Sequence, residues 1–278
     1  MENVILSGSF DNPKSKDLRF LQEASNLGKV FVFLWSDEIV MKHFGKKPKF
    51  PQNERKYFLD AVRYVDQTIL IDDFDSFDEL PIVDGISPDV WALREFENSA
   101  QKRIFCSKNG ISYHLVRNFD LIGFPDHTIQ EAHPENKKVV VTGSFDWFHS
   151  GHIRFFEETS QLGDLYVVVG HDDNIRLLKG EGHPMYSQEE RRYVVGSIKF
   201  VRQALTSSGD GWLDAEPEIQ KIKPDFYAVN EDGDKPEKRV FCEQHGLKYV
   251  VFKRIPAPGL PQRTATSLRE EHKRCIGL

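Results

Sequence analysis

The hydrophobic residues of this chain fall in short unbroken runs, separated by stretches with helical spacing. Lys138–Thr142 (Lys-Val-Val-Val-Thr) is one such run, and Leu165–Val169 (Leu-Tyr-Val-Val-Val) is another. Continuous apolar runs of this length suit strands buried on both faces of a parallel sheet. Between them Ile153, Phe156, Thr159 and Ser160 share one helical stripe that stops at Gly163, a fitting C-cap. Ser187 with the following Gln-Glu-Glu has the cap and first-turn acids of a helix start. Tyr193, Val194, Ser197, Ile198 and Val201 keep helical spacing behind it. Asp225–Val229 predicts a third strand, 235–245 a helix and Tyr249–Phe252 a fourth strand. Strands alternating with helices predict an α/β fold with a doubly wound parallel sheet. Ligands of such sheets sit beyond the carboxyl ends of the strands, at the switch point.

The pattern is written twice. Val4–Asp11 matches Val139–Asp146, each ending in Gly-Ser-Phe-Asp. Leu18-Arg19-Phe20 pairs with Ile153-Arg154-Phe155, Gly28 with Gly163, and Asp37 with Asp172. After a one-residue shift in the forties, Gln52–Arg55 pairs with Gln188–Arg191 and Pro88-Asp89 with Pro224-Asp225. Arg103–Cys106 then falls on Arg239–Cys242, and Gly123-Phe124-Pro125 on Gly259-Leu260-Pro261. A period this long is a duplicated domain and not a solenoid unit. The chain is therefore expected to hold two tandem domains, 1–133 and 138–278, with a polar linker near 126–137 that contains Pro134.

Composition narrows the partners. The 278 residues suit two domains of ordinary size, and 39% hydrophobic with 29% charged residues is ordinary for a globular chain. A net charge of −6 argues against coating nucleic acid or an anionic membrane. Cys106, Cys242 and Cys275 lack metal-ligand spacing and are odd in number, which points to a reducing, cytoplasmic setting. The N-terminus does not read as a signal peptide, and no stretch is apolar enough to span a bilayer.

The chemistry concentrates after the run at 138–142. Gly143-Ser144-Phe145-Asp146 ends the strand, and His149-Ser150-Gly151-His152 opens the next helix. His149 and His152, three residues apart, share a helix face. Gly151 between them allows a phosphate to approach the backbone closely. The helix N-terminus offers unpaired N–H groups and a positive dipole end. Such a site stabilises charge on a reacting phosphorus centre.

These residues resemble the signature G-x-F-D-x-x-H-x-G-H of the cytidylyltransferase-type nucleotidyltransferases. That group includes glycerol-3-phosphate, ethanolamine-phosphate and choline-phosphate cytidylyltransferases and the nucleotidyltransferase domain of ADP-heptose synthase. The resemblance covers nearly all of 138–278 and, weakened, 1–133. It implies Rossmann-like domains and transfer of CMP from CTP to the phosphate of a small phosphorylated alcohol or sugar, with pyrophosphate released. ATP is the alternative donor, and a non-catalytic nucleotide-binding regulator the alternative of another class. Mg²⁺ is expected to travel with the triphosphate, with no dedicated protein ligands. An aminoacyl-tRNA synthetase is set aside, because the chain is short, acidic and lacks a K-M-S-K-S-like loop.

The resemblance also assigns roles. His149 and His152 stabilise the α-phosphate and the departing pyrophosphate, and Lys179, in the loop after the second strand, contacts phosphates. Arg191 helps to bind the nucleotide, as do Gly143, Ser144, Phe145, Asp146 and Gly151 of the turn. Arg263-Thr264-Ala265-Thr266-Ser267-Leu268-Arg269 is similar to the family's second phosphate-binding segment. There Arg263, Thr264 and Thr266 face the nucleotide and Arg269 the substrate. Its spacing departs from the cytidylyltransferase pattern toward the S-S-T-x-x-R segment of adenylyltransferases, which leaves the nucleotide open. Asn230 is a candidate for ribose or base, and Trp212 for the acceptor pocket.

Against His-Ser-Gly-His the first copy reads Lys14-Ser15-Lys16-Asp17, and position 179 falls near His43 and Phe44. Arg55 and the Gly8-Ser9-Phe10-Asp11 turn survive, and Thr264 pairs with Thr128 while Thr266 pairs with Gln130. The first half is thus expected to be inactive. It is expected to act as the second half of an intrachain pseudo-dimer, with a homodimer also open.

Overall fold

A computed structural model describes residues 1–127 and 135–275, with the Cys275 side chain excepted. The linker positions Thr128, Gln130 and Pro134 therefore lie outside the described residues. The chain forms two compact units, Met1–Gly123 and Phe124–Leu278.

In the first unit, strands β1 (Glu2–Gly8), β2 (Gly28–Trp35), β3 (Gln67–Ile71), β4 (Val90–Arg94) and β5 (Ser112–Val116) are parallel, in the order β3-β2-β1-β4-β5. Helices α1 (Ser15–Ser25), α2 (Asp37–Phe44), α3 (Gln52–Asp60) and α4 (Ala100–Asn109) connect them. The second unit repeats the plan with β6 (Lys138–Gly143), β7 (Asp164–Val169), β8 (Val201–Thr206), β9 (Phe226–Asn230) and β10 (Lys248–Phe252). Its order is β10-β9-β6-β7-β8, again parallel. Its helices are α5 (Ser150–Thr159), α6 (Asp172–Lys179), α7 (Gln188–Gly196), α8 (Glu216–Ile222), α9 (Pro236–His245) and α10 (Ala265–Cys275).

The apolar runs are central strands, as their composition requires. Val139, Val140 and Val141 are fully buried, as are Val4, Ile5 and Leu6. The matched glycines mark one close approach in each unit. A Cβ on Gly28 would meet the Glu2 carbonyl oxygen at 2.1 Å, and one on Gly163 would meet that of Lys137 at the same distance. In each unit the order reverses at the first strand, between β1 and β4 or between β6 and β9. The crevice at that reversal is where the two Gly-Ser-Phe-Asp turns lie.

Two expectations change. The helix opened by Ser187, whose Oγ accepts from the Glu190 N–H, ends at Gly196 and does not run on to Val201. Val201 instead begins β8, an edge strand. Lys179 is not in a loop but is the last residue of α6, capped by Gly180. No helix among the described residues is long and apolar enough to cross a membrane.

Candidate active site

The turn after β6 is held in a conformation that most residues avoid. Phe145 has φ +48, in the left-handed region. Its ring folds back over Gly143, where a Cβ would lie 3.0 Å from ring atoms, and packs 5.3 Å from Phe156. Asp146 fixes the next step: Oδ1 accepts from the N–H groups of Met185 and Tyr186 at 2.8 and 3.0 Å. Arg191, 1% exposed, donates to the carbonyls of Tyr186, Ser144 and Gly170 and to the Asp172 carboxylate. Its guanidinium thus clamps the turn from several sides.

The histidines follow. His149 is the N-cap of α5, and its Nδ1 accepts the Gly151 N–H at 3.0 Å. His152 Nδ1 accepts the His149 N–H at 3.3 Å. Both Nδ1 atoms thus act as acceptors, which places the ring proton on Nε2 in each neutral imidazole. The two rings stack with centroids 4.0 Å apart, and Phe148 and Phe145 wall His152 in. His149 is 3% exposed, and its Nε2 is buried with no protein partner among the described residues. A Cβ on Gly151 would also strike the His149 ring at 2.9 Å.

Cations ring this pair. Lys179 Nζ donates to Ser144 Oγ at 2.7 Å. Arg254, which the sequence reading missed, pairs with Asp232 at 2.7 Å and donates to the Arg263 carbonyl. Asn230, Arg254, Arg263 and Gly151 line one cleft. Thr264 Oγ1 accepts the Ser267 N–H at the start of α10, so it caps that helix, while Thr266 is exposed. Arg269 crosses to His183 and the Gly182 carbonyl, in the segment before α7. Trp212 is half exposed between β8 and α8, with the Lys235 Nζ over its ring.

Burial, then Arg254, then Arg263, push the His149 pKa down to about 3. His152 is held well below its ordinary value by burial, His149, Arg254 and Lys179. Burial also lowers Lys179, against the pull of Asp146. Both imidazoles stay neutral across the neutral range, so they act as hydrogen-bond donors from Nε2. A histidine depressed in the fold stabilises it fully above the unfolded value and loses that contribution as pH falls below it. Unfolding midpoints in urea are therefore expected to drop as pH falls from about 6.5 toward about 3. His149→Asn is expected to flatten that slope; an unchanged slope would contradict the assignment.

The first unit keeps the scaffold and carries other residues at the positions of the two histidines and Lys179. Phe10 has φ +43, and Asp11 accepts the N–H groups of Lys49 and Phe50. Arg55 donates to the carbonyls of Phe50 and Ser9 and to Asp37. Lys14 stands where His149 does, and Asp17 takes over the backbone bond of His152, its Oδ2 accepting the Lys14 N–H at 2.6 Å. Its Oδ1 pairs with Arg94 at 3.0 Å. Arg94 ends β4 as Asn230 ends β9, and its guanidinium lies over Phe10 and Phe20. Phe44 ends α2 where Lys179 ends α6.

Residues 140–270 match the family model described as cytidylyltransferase-like. The chain is 42% identical over 120 residues to an FAD synthase of Ferroglobus placidus, covering 42% of this chain and 75% of that protein. It is 34% identical over 143 residues to an FAD synthase of Thermococcus onnurineus, covering 48% and 89%. It is 39% identical over 98 residues to the bifunctional protein HldE of Campylobacter concisus, covering 34% and 20%.

Proposed function

The chain belongs to the cytidylyltransferase-like family of nucleotidyltransferases, and from that premise we propose that its second unit transfers AMP from ATP to a phosphate monoester, with flavin mononucleotide as the acceptor. FAD, the product in the names of two of these relatives, joins an adenylyl group to flavin mononucleotide through a pyrophosphate linkage. Making it requires an adenylyl donor, which moves the reading from CTP to ATP. The observation that carries the reaction type is the buried, unpartnered Nε2 of His149 at the mouth of α5.

An oxygen of the acceptor phosphate attacks the α-phosphorus of the triphosphate. The bond from the α-phosphorus to the bridging oxygen breaks, and pyrophosphate leaves with that oxygen. The attacking phosphate is ionised at neutral pH, so no general base is required. His149 and His152 donate from Nε2 to phosphate oxygens, and Lys179, steered by Ser144, neutralises charge gathered there. Arg263 and the α10 start serve the β- and γ-phosphates, Arg269 the reactants beside His183, and Asn230 with Arg254 the nucleoside end. No group of three His, Cys, Asp or Glu gathers as a metal cage among the described residues. Mg²⁺ would arrive on the triphosphate with phosphate and water ligands, and would supply charge neutralisation there beside Lys179 and Arg263.

The first unit is proposed to turn nothing over, since Lys14, Asp17 and Phe44 replace the three reactive groups. Incubation with each nucleoside triphosphate, Mg²⁺ and a panel of phosphates tests the whole reading. Pyrophosphate is expected from ATP with flavin mononucleotide and not with riboflavin. Release only from CTP with an alcohol or sugar phosphate would restore the cytidylyl reading, and none with any pair would defeat both.

A further inference from the structure

Arg254 lies two residues past the end of β10, and Asn118 two residues past the end of β5. In each unit the backbone N–H of that residue donates to the glutamate that follows the neighbouring strand, to Glu231 at 3.1 Å and to Glu95 at 3.1 Å. The scaffold at this point is therefore common to both units. The charges on it are not. Arg254 pairs with Asp232 at 2.7 Å, whereas Asn118 and Phe96 hold the corresponding places in the first unit. The ion pair accompanies the histidines of the helix start and is replaced where Lys14 and Asp17 stand instead.

Contacts lead from this pair to the reactive turn. Arg254 donates to the Arg263 carbonyl at 3.1 Å, and that carbonyl lies 3.7 Å from where a Cβ on Gly151 would stand. Gly151, Arg254 and Arg263 line one cleft. The Gly151 N–H donates to His149 Nδ1 at 3.0 Å, and the His149 N–H to His152 Nδ1 at 3.3 Å. Each of these bonds needs a bare ring nitrogen. A proton on either Nδ1 would set donor against donor and release the start of α5. A bound triphosphate invites that proton, because its negative charges arrive beside two imidazoles. Burial opposes it first, and for His152 the His149 ring beside it. Cations from two elements follow: Arg254 and Arg263 from the segment after β10, and Lys179 from α6. Arg254 acts on both rings, while Arg263 acts on His149 and Lys179 on His152. On the other side of the balance, Asp232 answers Arg254 and Asp146 acts on Lys179.

We propose that Arg254, aimed by Asp232 and the Arg263 carbonyl, is a positioning residue that keeps both Nδ1 atoms as acceptors while the anionic triphosphate is bound. It thereby holds the start of α5, and with it both Nε2 donors, in place through the reaction. This rests on the proposed function and adds to it a residue that acts through the histidines.

The test follows the ring nitrogen NMR shifts of His149 and His152 in the full chain from about pH 7.5 to about pH 4, with and without saturating ATP. The chains compared are the wild type, Arg254→Met and Arg254→Lys. In the wild type both rings are expected to stay neutral over most of this range. In Arg254→Met the protonation midpoint of both rings is expected to rise by about one pH unit or more, and Arg254→Lys to restore most of the difference. The acid limb of pyrophosphate release is expected to move up with the midpoints. Titrations that coincide in the wild type and Arg254→Met would overturn the inference. So would Met and Lys variants that behave alike, or a shift confined to His149. Should Arg254→Met fail to fold, Arg254→Gln, which can still donate to the Arg263 carbonyl, takes its place with the same expectation. The ligand-free titration does not depend on the reaction. Shifted titrations with no pyrophosphate from any pair would leave the positioning role standing and remove the proposed function. Release from ATP with flavin mononucleotide, beside titrations that coincide, would do the reverse.

Discussion

His149→Ala is expected to lower turnover by on the order of 10²- to 10³-fold, the loss that follows removal of one preorganised donor to a reacting oxyanion. The donor in question is the buried Nε2, which bonds no protein group among the described residues and is held by the Nδ1 bond to Gly151. The same substitution removes an N-cap acceptor, so stability should fall by about 1 kcal/mol. His149→Asn separates the two effects: its short side chain can still cap α5 but does not reach as Nε2 does. Stability should recover and turnover should not. Steady-state kinetics beside thermal melts make the check, and turnover within a few-fold of wild type in His149→Ala would sink the assignment.

Arg191→Ala is expected to cost the fold about 3–5 kcal/mol, the range for breaking a buried charged cluster by removing one member. Three carbonyls and the Asp172 carboxylate lose their donor together. One of them belongs to Ser144, so the reactive turn loosens as well and turnover falls with stability. Lysine should not rescue it, because a single ammonium cannot span acceptors that a planar fork reaches on several sides. Urea unfolding decides the matter; a loss below about 1 kcal/mol would mean that the clamp is redundant.

The central strands and the reactive turn were legible because each rests on a local signal. Val139–Val141 is a run too apolar for any exposed element, and the spacing of His149 and His152 survives only on a helix start. Other parts depend on what lies far away in the chain. The buried residues of α6 are Asn174 and Ile175, and Asn174 is inside because it grips Gly211. Its polar sequence therefore hides a packed face. Val201 sits at helical spacing from Ile198, and only the stop at Gly196 and pairing with β7 make it the start of a strand. The clamp made by Arg191 was not legible, since its carbonyl partners come from three separate segments. Arg254 gave no signal for a similar reason: Asp232, Arg263 and the histidines that define its place converge only in the folded chain.

The Arg94–Asp17 pair closes the helix start of the first unit. A carboxylate sits there where the second unit has a ring nitrogen, and the cation that ends β4 answers it. A histidine placed at position 17 would remove one counter-charge from that guanidinium, which lies over aromatic rings and also feels the Glu97 carboxylate. Rebuilding a histidine pair in this half would mean exchanging both members of the ion pair at once, together with Lys14 and Phe44. The first unit holds with an ion pair what the second holds with two stacked imidazoles.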